Sequence, residues 1–265
     1  MENDRNYLIK NKEAWNLRTA VHVGSRFYDM PAFMSGATSL QSIELDMLGS
    51  VAGKKILHLQ CHFGQDSLSL ARMGARVTGI DLSDVAIEKA RELNHELKLD
   101  AEFICCDVYS LPENLNVQFD IVFTTYGTIG WLPDMDRWAS VVSHFLKPGG
   151  ELVFVEFHPV VWMFDEGFRQ IDYNYFNEKP IEETSSGTYT DPDAPLRYET
   201  VSWNHSLSEV MQALIRQGLN IRQFKEYDYS PYNCFQNMVE VAEHRFRIKH
   251  IGNKMPMVYS ILAVK

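Results

Sequence analysis

Three short segments carry residue types and spacings that suit the grip of a small, charged, nucleoside-like ligand. The first is Gln60-Cys61-His62-Phe63-Gly64, a turn between an apolar run and a helical stretch. Backbone N–H groups at such a helix entrance can meet an anion or the carboxylate of a zwitterion. The second is Asp81, which ends the next apolar run 17 residues beyond Gly64. An acidic side chain there can accept both hydroxyls of a ribose. The third is Asp107, after another apolar run, placed to accept from an adenine amino group. Each alone is weak, because a strand-end Asp is more often a turn or cap residue. In order and at this spacing they describe an adenosine-plus-amino-acid site.

The elements that must position them follow from the apolar rhythm. Lys55–Gln60, Arg76–Ile80, Phe103–Cys106, Phe119–Thr124 and Glu151–Phe157 read as strands. Each is close to continuously apolar, as when helices cover both faces of a parallel sheet. Ser83 is placed to cap a helix with the stripe Ile87, Ala90, Leu93 and Leu97. Pro133 is expected to open a helix burying Met135, Trp138, Val142, Phe145 and Leu146, which stops at Lys147-Pro148-Gly149-Gly150. Alternating strands and helices mean βαβ units, with ligands held at the carboxyl ends of the strands.

After residue 158 the helical period is lost, and residues 158–204 hold nine aromatics in 47 positions, above the 12% of the whole chain. Arg197–Trp203 reads as a strand of an added layer or hairpin. Ser206-x-x-Glu209 is a capping box for a helix that ends at Gly218. Two late strands are expected near Leu219–Tyr227 and Met257–Val264. The expected organisation is an N-terminal helical cover over 1–48 and a main domain over 49–265 with an insertion at 158–204.

Composition removes several function classes. A net charge of −10, with no run of Lys and Arg, argues against a nucleic-acid partner. The four cysteines, Cys61, Cys105, Cys106 and Cys234, form no C-x-x-C pair, so no metal site is expected. Cys105 and Cys106 lie in an apolar run and are expected to be buried. Free thiols and the lack of an 18-residue apolar stretch point to a soluble cytoplasmic protein.

Ile56–Gly64 resembles the first motif of class I S-adenosylmethionine-dependent methyltransferases. Gly79-Ile80-Asp81-Leu82-Ser83 resembles their second, and Cys106-Asp107-Val108 their third. Phe119–Val122 and Leu146–Gly150 resemble the fourth and the turn before strand five. The resemblance implies an α/β, Rossmann-like, doubly wound sheet of seven mostly parallel strands with the last antiparallel. It also implies S-adenosylmethionine as methyl donor and a small-molecule acceptor. The implied donor contacts are Gln60, Cys61, His62, Gly64, Asp81, Leu82, Asp107, Val108 and Thr125. The chain departs from the family at His58, usually acidic, and at Gln60 and His62, usually glycine. The competing readings are a non-catalytic S-adenosylmethionine-binding or regulatory protein and a nicotinamide-dependent oxidoreductase, whose G-x-G-x-x-G is lacking.

Methyl transfer needs a nucleophile held in line at near-attack distance, and a base if that nucleophile carries a proton. The expected base is His158, directly after strand five, with Tyr126 after strand four orienting the acceptor. Trp131, Trp162 and Trp203 are candidates for the acceptor pocket or for core. Trp15, His22 and Tyr28 belong to the expected cover.

Overall fold

The computed structural model describes residues 6–265, so residues 1–5 of the expected cover lie outside it. The chain opens with helices α1 (Asn6–Gly24), α2 (Met30–Met34) and α3 (Ser42–Leu48). Then come β1 (Lys55–Leu59), α4 (Gln65–Arg72), β2 (Arg76–Asp81), α5 (Asp84–Glu96), β3 (Glu102–Cys105), α6 (Leu111–Asn114), β4 (Phe119–Thr125), α7 (Met135–Phe145) and β5 (Leu146–Phe157). The remainder is β6 (Ile181–Ser186), β7 (Arg197–Ser202), α8 (Leu207–Arg216), β8 (Asn220–Tyr227), β9 (Met238–Ala242), β10 (Arg245–Ile248) and β11 (Val258–Val264).

Seven strands form one sheet in the order β3-β2-β1-β4-β5-β11-β8, with β11 antiparallel to both neighbours. The order reverses between β1 and β4, which opens a crevice at their carboxyl ends. Alternation along each strand feeds two cores. Leu57 and Leu59 of β1 pack with Trp138, Val142 and Leu214 of α7 and α8. Ile56, with Ile121 and Phe123 of β4, packs with Leu68 and Ile87 of α4 and α5. Burying a side chain of this size fully is worth about 1.5–3 kcal/mol.

Local signals set most boundaries. Ser83 Oγ accepts from Ala86 N (3.0 Å) and Ser206 Oγ from Glu209 N (3.2 Å), capping α5 and α8. Asp134, rather than Pro133, opens α7, accepting from Arg137 N (3.0 Å). β3 ends one residue early, and as the edge of the sheet it leaves Cys105 exposed rather than buried. The two late strands form as expected, but the hairpin β9–β10 between them does not announce itself in the sequence.

The insertion contributes the antiparallel hairpin β6–β7, which lies against α1. Asn11 of α1 joins them, donating to Val201 O (2.8 Å) and accepting from Val201 N (2.9 Å). α3 instead packs on β5, with Ile43 beside Val155 in a third apolar cluster. Among the described residues no helix is long and apolar enough to cross a membrane.

Candidate functional site

A cavity of about 1050 Å³ runs across the carboxyl ends of β1 to β5, beneath α1 and the β6–β7 hairpin. Its volume is at the top of the range for small-molecule sites, about 300–1,000 Å³. Gln60, Cys61, His62, Gly64, Asp81, Leu82, Asp107, Val108, Thr125 and Tyr126 all line it.

At one end, the turn after β1 is tightly wound. Gln60, His62 and Gly64 have φ of 54°, 52° and 82°. The left-handed backbone that glycine favours is therefore kept at both positions where side chains stand instead, at a cost of about 1–3 kcal/mol each. Gly64 has a second constraint, since a Cβ there would lie 2.8 Å from Phe103 and 2.9 Å from Ala90. Asp81 fixes this turn, accepting from His62 N (2.8 Å) through one oxygen and from Ser83 N (2.9 Å) through the other. Burial lifts its carboxyl to about 6, against the pull of those N–H groups. Each oxygen keeps a further lone pair for a ribose hydroxyl. Asp107 accepts from Ser110 N (3.1 Å), so it caps a short turn as well as facing the cavity. His58 is buried and bonded to Ser67 Oγ (2.8 Å), and burial lowers its ring to about 3, so it is neutral.

The cover meets the turn through rings. His62 lies 5.2 Å from Trp15, 5.2 Å from His22 and 5.5 Å from Tyr28. Tyr28 also shares a hydroxyl hydrogen bond with Tyr189 of the insertion. Gln60 Nε2 donates to Thr128 O (2.8 Å), while Gln60 Oε1 and His62 Nε2 are buried without a partner. Unsatisfied polar atoms on a cavity wall beside Asp81 fit a ligand that carries both a ribose and a zwitterion.

At the other end, side chains from distant elements converge. Tyr126, with φ of 43°, donates its hydroxyl to Glu44 Oε2 (2.8 Å) of α3. Glu44 Oε1 also accepts from Gln41 N (2.7 Å). Asp66, in the first turn of α4, accepts from Ser39 Oγ (2.6 Å) and Thr125 Oγ1 (3.4 Å). Burial, with the charge of Asp66 nearby, pushes Glu44 up to about 8. Burial raises Asp66 as well. Tyr232 packs edge-on to Tyr126, with ring centroids 5.1 Å apart. Neither Glu44 nor Asp66 stands out in the sequence. Asp66 reads as an ordinary first-turn acid, and Glu44 as the third residue of a capping box.

Glu156, at the end of β5, holds the wall between the two ends. Its carboxylate accepts from the N–H groups of Gly127, Thr128 (2.7 Å), Ile129 (3.1 Å) and Phe157 (2.6 Å) and from Thr128 Oγ1 (3.0 Å). It shapes the loop after β4.

His158 is not among the residues that line the cavity. Its Nε2 pairs with Glu226 (3.0 Å) on β8, and its Nδ1 accepts from Val160 N (3.2 Å). Both nitrogens are committed in the turn directly after β5, and Glu156, Phe157 and Pro159 line the cavity on either side of it. Trp131, Trp162 and Trp203 do line the cavity. No group of three or more His, Cys, Asp or Glu among the described residues is arranged to hold a metal.

Residues 56–150, which contain nearly all of β1, then β2 to β4 and the turns at Gly64, Asp81 and Asp107, match the family described as a methyltransferase domain. This stretch of the chain is similar to a methyltransferase domain. Curated relatives of this domain include ubiquinone biosynthesis O-methyltransferases from Alkalilimnicola ehrlichii and Pseudomonas entomophila. The first is 29% identical over 134 residues, 49% of this chain and 54% of the relative. The second is 33% identical over 110 residues, 42% and 47% of the two chains. The chain thus spans about half the length of the curated relatives it matches. Solved structures extend the likeness beyond the methyltransferase domain as fold alone. An S-adenosylmethionine-dependent methyltransferase from Clostridium acetobutylicum is 17% identical and covers 96% of this chain and 98% of its own, with a TM-score of 0.57. A methyltransferase of the same description from Listeria monocytogenes is 20% identical, covering 84% and 98%, with a TM-score of 0.56.

Proposed function

We propose that the protein is an enzyme that moves a methyl group from S-adenosylmethionine to a small molecule enclosed beneath α1 and the β6–β7 hairpin. One observation carries this reading: a single cavity joins the Gly64–Asp81–Asp107 end to Thr125, Tyr126 and Asp66. The donor-end residues suit adenosine and a zwitterion, and S-adenosylmethionine, when bound, supplies an electrophilic methyl group on a sulfonium. Asp81 would hold the ribose and Asp107 the adenine, between Leu82 and Val108. The turn Gln60–Gly64 would hold the methionine end, with Thr125 at the junction.

The chain's own work is then positioning and proton removal. Tyr126, whose hydroxyl proton is given to Glu44, orients the acceptor through its oxygen lone pairs and its ring, and its high pKa keeps the hydroxyl protonated. Asp66 is the carboxylate on the wall that takes a proton from the acceptor as its heteroatom attacks. The rings of Trp15, Trp131 and Trp203 keep water away from the reacting atoms. An enclosed site on a chain of net charge −10 suits a small molecule rather than a nucleic acid, and the free thiols suit the cytoplasm.

Calorimetry with S-adenosylhomocysteine tests the donor half, and release of S-adenosylhomocysteine in the presence of candidate acceptors tests turnover. Binding of the thioether but not of a nicotinamide dinucleotide is the expected result. Failure to bind it would remove the reading, and binding without turnover on any acceptor would leave a sensor.

A further inference from the structure

The acceptor end of the cavity offers lone pairs and few free protons. Tyr126 gives its hydroxyl proton to Glu44 (2.8 Å), and Ser39 and Thr125 give theirs to Asp66 (2.6 and 3.4 Å). The backbone N–H groups beside them are spent too, Tyr126 N on Val155 O (2.7 Å) and Thr128 N on Glu156 Oε2 (2.7 Å). What Asp66 and the Tyr126 oxygen have left to offer the cavity is acceptor capacity. A ligand that meets this end with good hydrogen bonds must therefore bring donors.

Charge points the same way. Asp66 lines the cavity and Glu44 stands behind Tyr126, and among the described residues neither carboxyl is ion-paired. Arg18 is the one Lys or Arg on the cavity wall among the described residues, and it sits at the other end, over the rings of Trp15 and Trp131. Beyond Asp66 the wall is aromatic. Tyr126 contacts Phe157 and Tyr232, with ring centroids 5.7 and 5.1 Å apart, and Phe157 contacts Trp162 and Phe235 at 5.8 and 5.1 Å. Further acids, Asp165, Glu166 and Glu183, also line the cavity. Carboxyl groups without a partner cation, among ring faces that attract one, suit a cation carried by the ligand. A carboxylate or phenolate at this end would meet like charge and lone pairs.

Resting on the methyl-donor reading above, we propose that the acceptor is a primary or secondary amine carried on an apolar, ring-sized body. It enters as an ammonium ion, with N–H groups on Asp66 and on the Tyr126 oxygen and its body among Phe157, Trp162 and Phe235. Asp66 takes one ammonium proton, which frees the nitrogen lone pair. The amine keeps an N–H on Tyr126 and turns that lone pair to the methyl carbon. The N–C bond forms and the C–S bond breaks with its electron pair left on sulfur. The positive charge passes from the sulfonium to the methylated nitrogen, and the proton stays on Asp66. Asp66 and Tyr126 thus select the acceptor's class as well as its position.

Three ligands of one shape test this on protein loaded with S-adenosylhomocysteine: 2-phenylethylamine, 2-phenylethanol and 3-phenylpropanoate. By calorimetry the amine should bind about 10–100-fold more tightly than the alcohol, the worth of one hydrogen bond to a charged group, and the carboxylate should be weakest. Asp66→Asn should bring the amine down to the affinity of the alcohol, while S-adenosylhomocysteine still loads, which shows that the variant is folded. With S-adenosylmethionine and phenyl, indolyl and cyclohexyl bodies, release of S-adenosylhomocysteine should follow the amines and not the matched alcohols or acids. An alcohol or acid that binds as tightly as its amine, unchanged amine affinity in Asp66→Asn, or no methyl transfer to any amine overturns the assignment while the donor reading stands. A wild-type protein that does not load S-adenosylhomocysteine overturns both.

Discussion

The two ends of the cavity are built in opposite ways. At the donor end the protein leaves polar atoms open: Arg18 Nε, Gln60 Oε1 and His62 Nε2 are buried and unpaired. At the acceptor end the polar groups are paired with one another: Tyr126 with Glu44, Glu44 with Gln41, and Asp66 with Ser39 and Thr125. The first arrangement stores unsatisfied hydrogen-bonding capacity for a ligand of fixed chemistry. The second holds its groups in place before any ligand arrives, at the cost of burying two carboxylates close together. Binding should therefore be sensitive to single changes at the first end, and pH dependence above about 6 should come from the second.

The largest effect is expected at the residue that ties the ends together. Glu156→Ala leaves several buried N–H groups of residues 127–129 and 157 without an acceptor. Urea unfolding should show a loss of about 3 kcal/mol or more, as buried donors without partners cost about 1–3 kcal/mol each. A loss under about 1 kcal/mol would mean that the loop after β4 does not depend on this carboxylate.

At the donor end, Asp81→Asn should weaken S-adenosylhomocysteine about tenfold or more, with a modest drop in melting temperature from the loosened turn. Equal affinity in calorimetry would take Asp81 off the ribose. Above about pH 6, where Asp81 has already titrated, the pH response should trace to the other end. The carboxyl of Glu44 is raised from 4.5 to about 8 in the fold, so folding takes up a proton between those values. Its contribution to stability is complete below about pH 4.5 and is lost as pH rises through about 8. Wild type should therefore lose stability relative to Glu44→Gln as pH climbs over that window. A constant difference from pH 5 to 9 would show that Glu44 titrates normally. The smallest effect is expected at His158. Its ring is held below its ordinary pKa by burial, with Glu226 opposing, and it is bound on both nitrogens. His158→Gln should cost about 1 kcal/mol of stability and leave donor affinity and turnover near wild type. A turnover loss of 10²-fold or more, in the range of general-base help, would restore it as the base.

Legibility in the sequence follows the same division. Asp81, Asp107 and the turn at Gly64 could be read because each ends a strand, and sheet topology alone brings successive strand ends together. Ser83 and Ser206 announced their helices through local hydrogen bonds. The direction of His158 could not be read, because the turn into Val160 and the bond to Glu226, 68 positions away, set it. The hairpin β9–β10 was hidden because its exposed, mixed residues carry little alternation.

The residue types and their order along the chain determined the α/β alternation, the continuous apolar strands, the caps, and the acidic strand ends that point to a nucleoside ligand. These depend on interactions within a few residues or on a rule that all parallel sheets obey. The tertiary structure alone decided that Glu44 stands behind Tyr126, 82 positions away, and that Asp66 reaches Thr125 across 59. It also decided that Arg18 stacks between Trp15, Trp131 and Tyr198. Such contacts come from packing α1, α3 and an inserted hairpin over a finished sheet. No periodicity or local hydrogen bond records where those pieces meet, because the free energy that places them is the burial of apolar area, which is not directional.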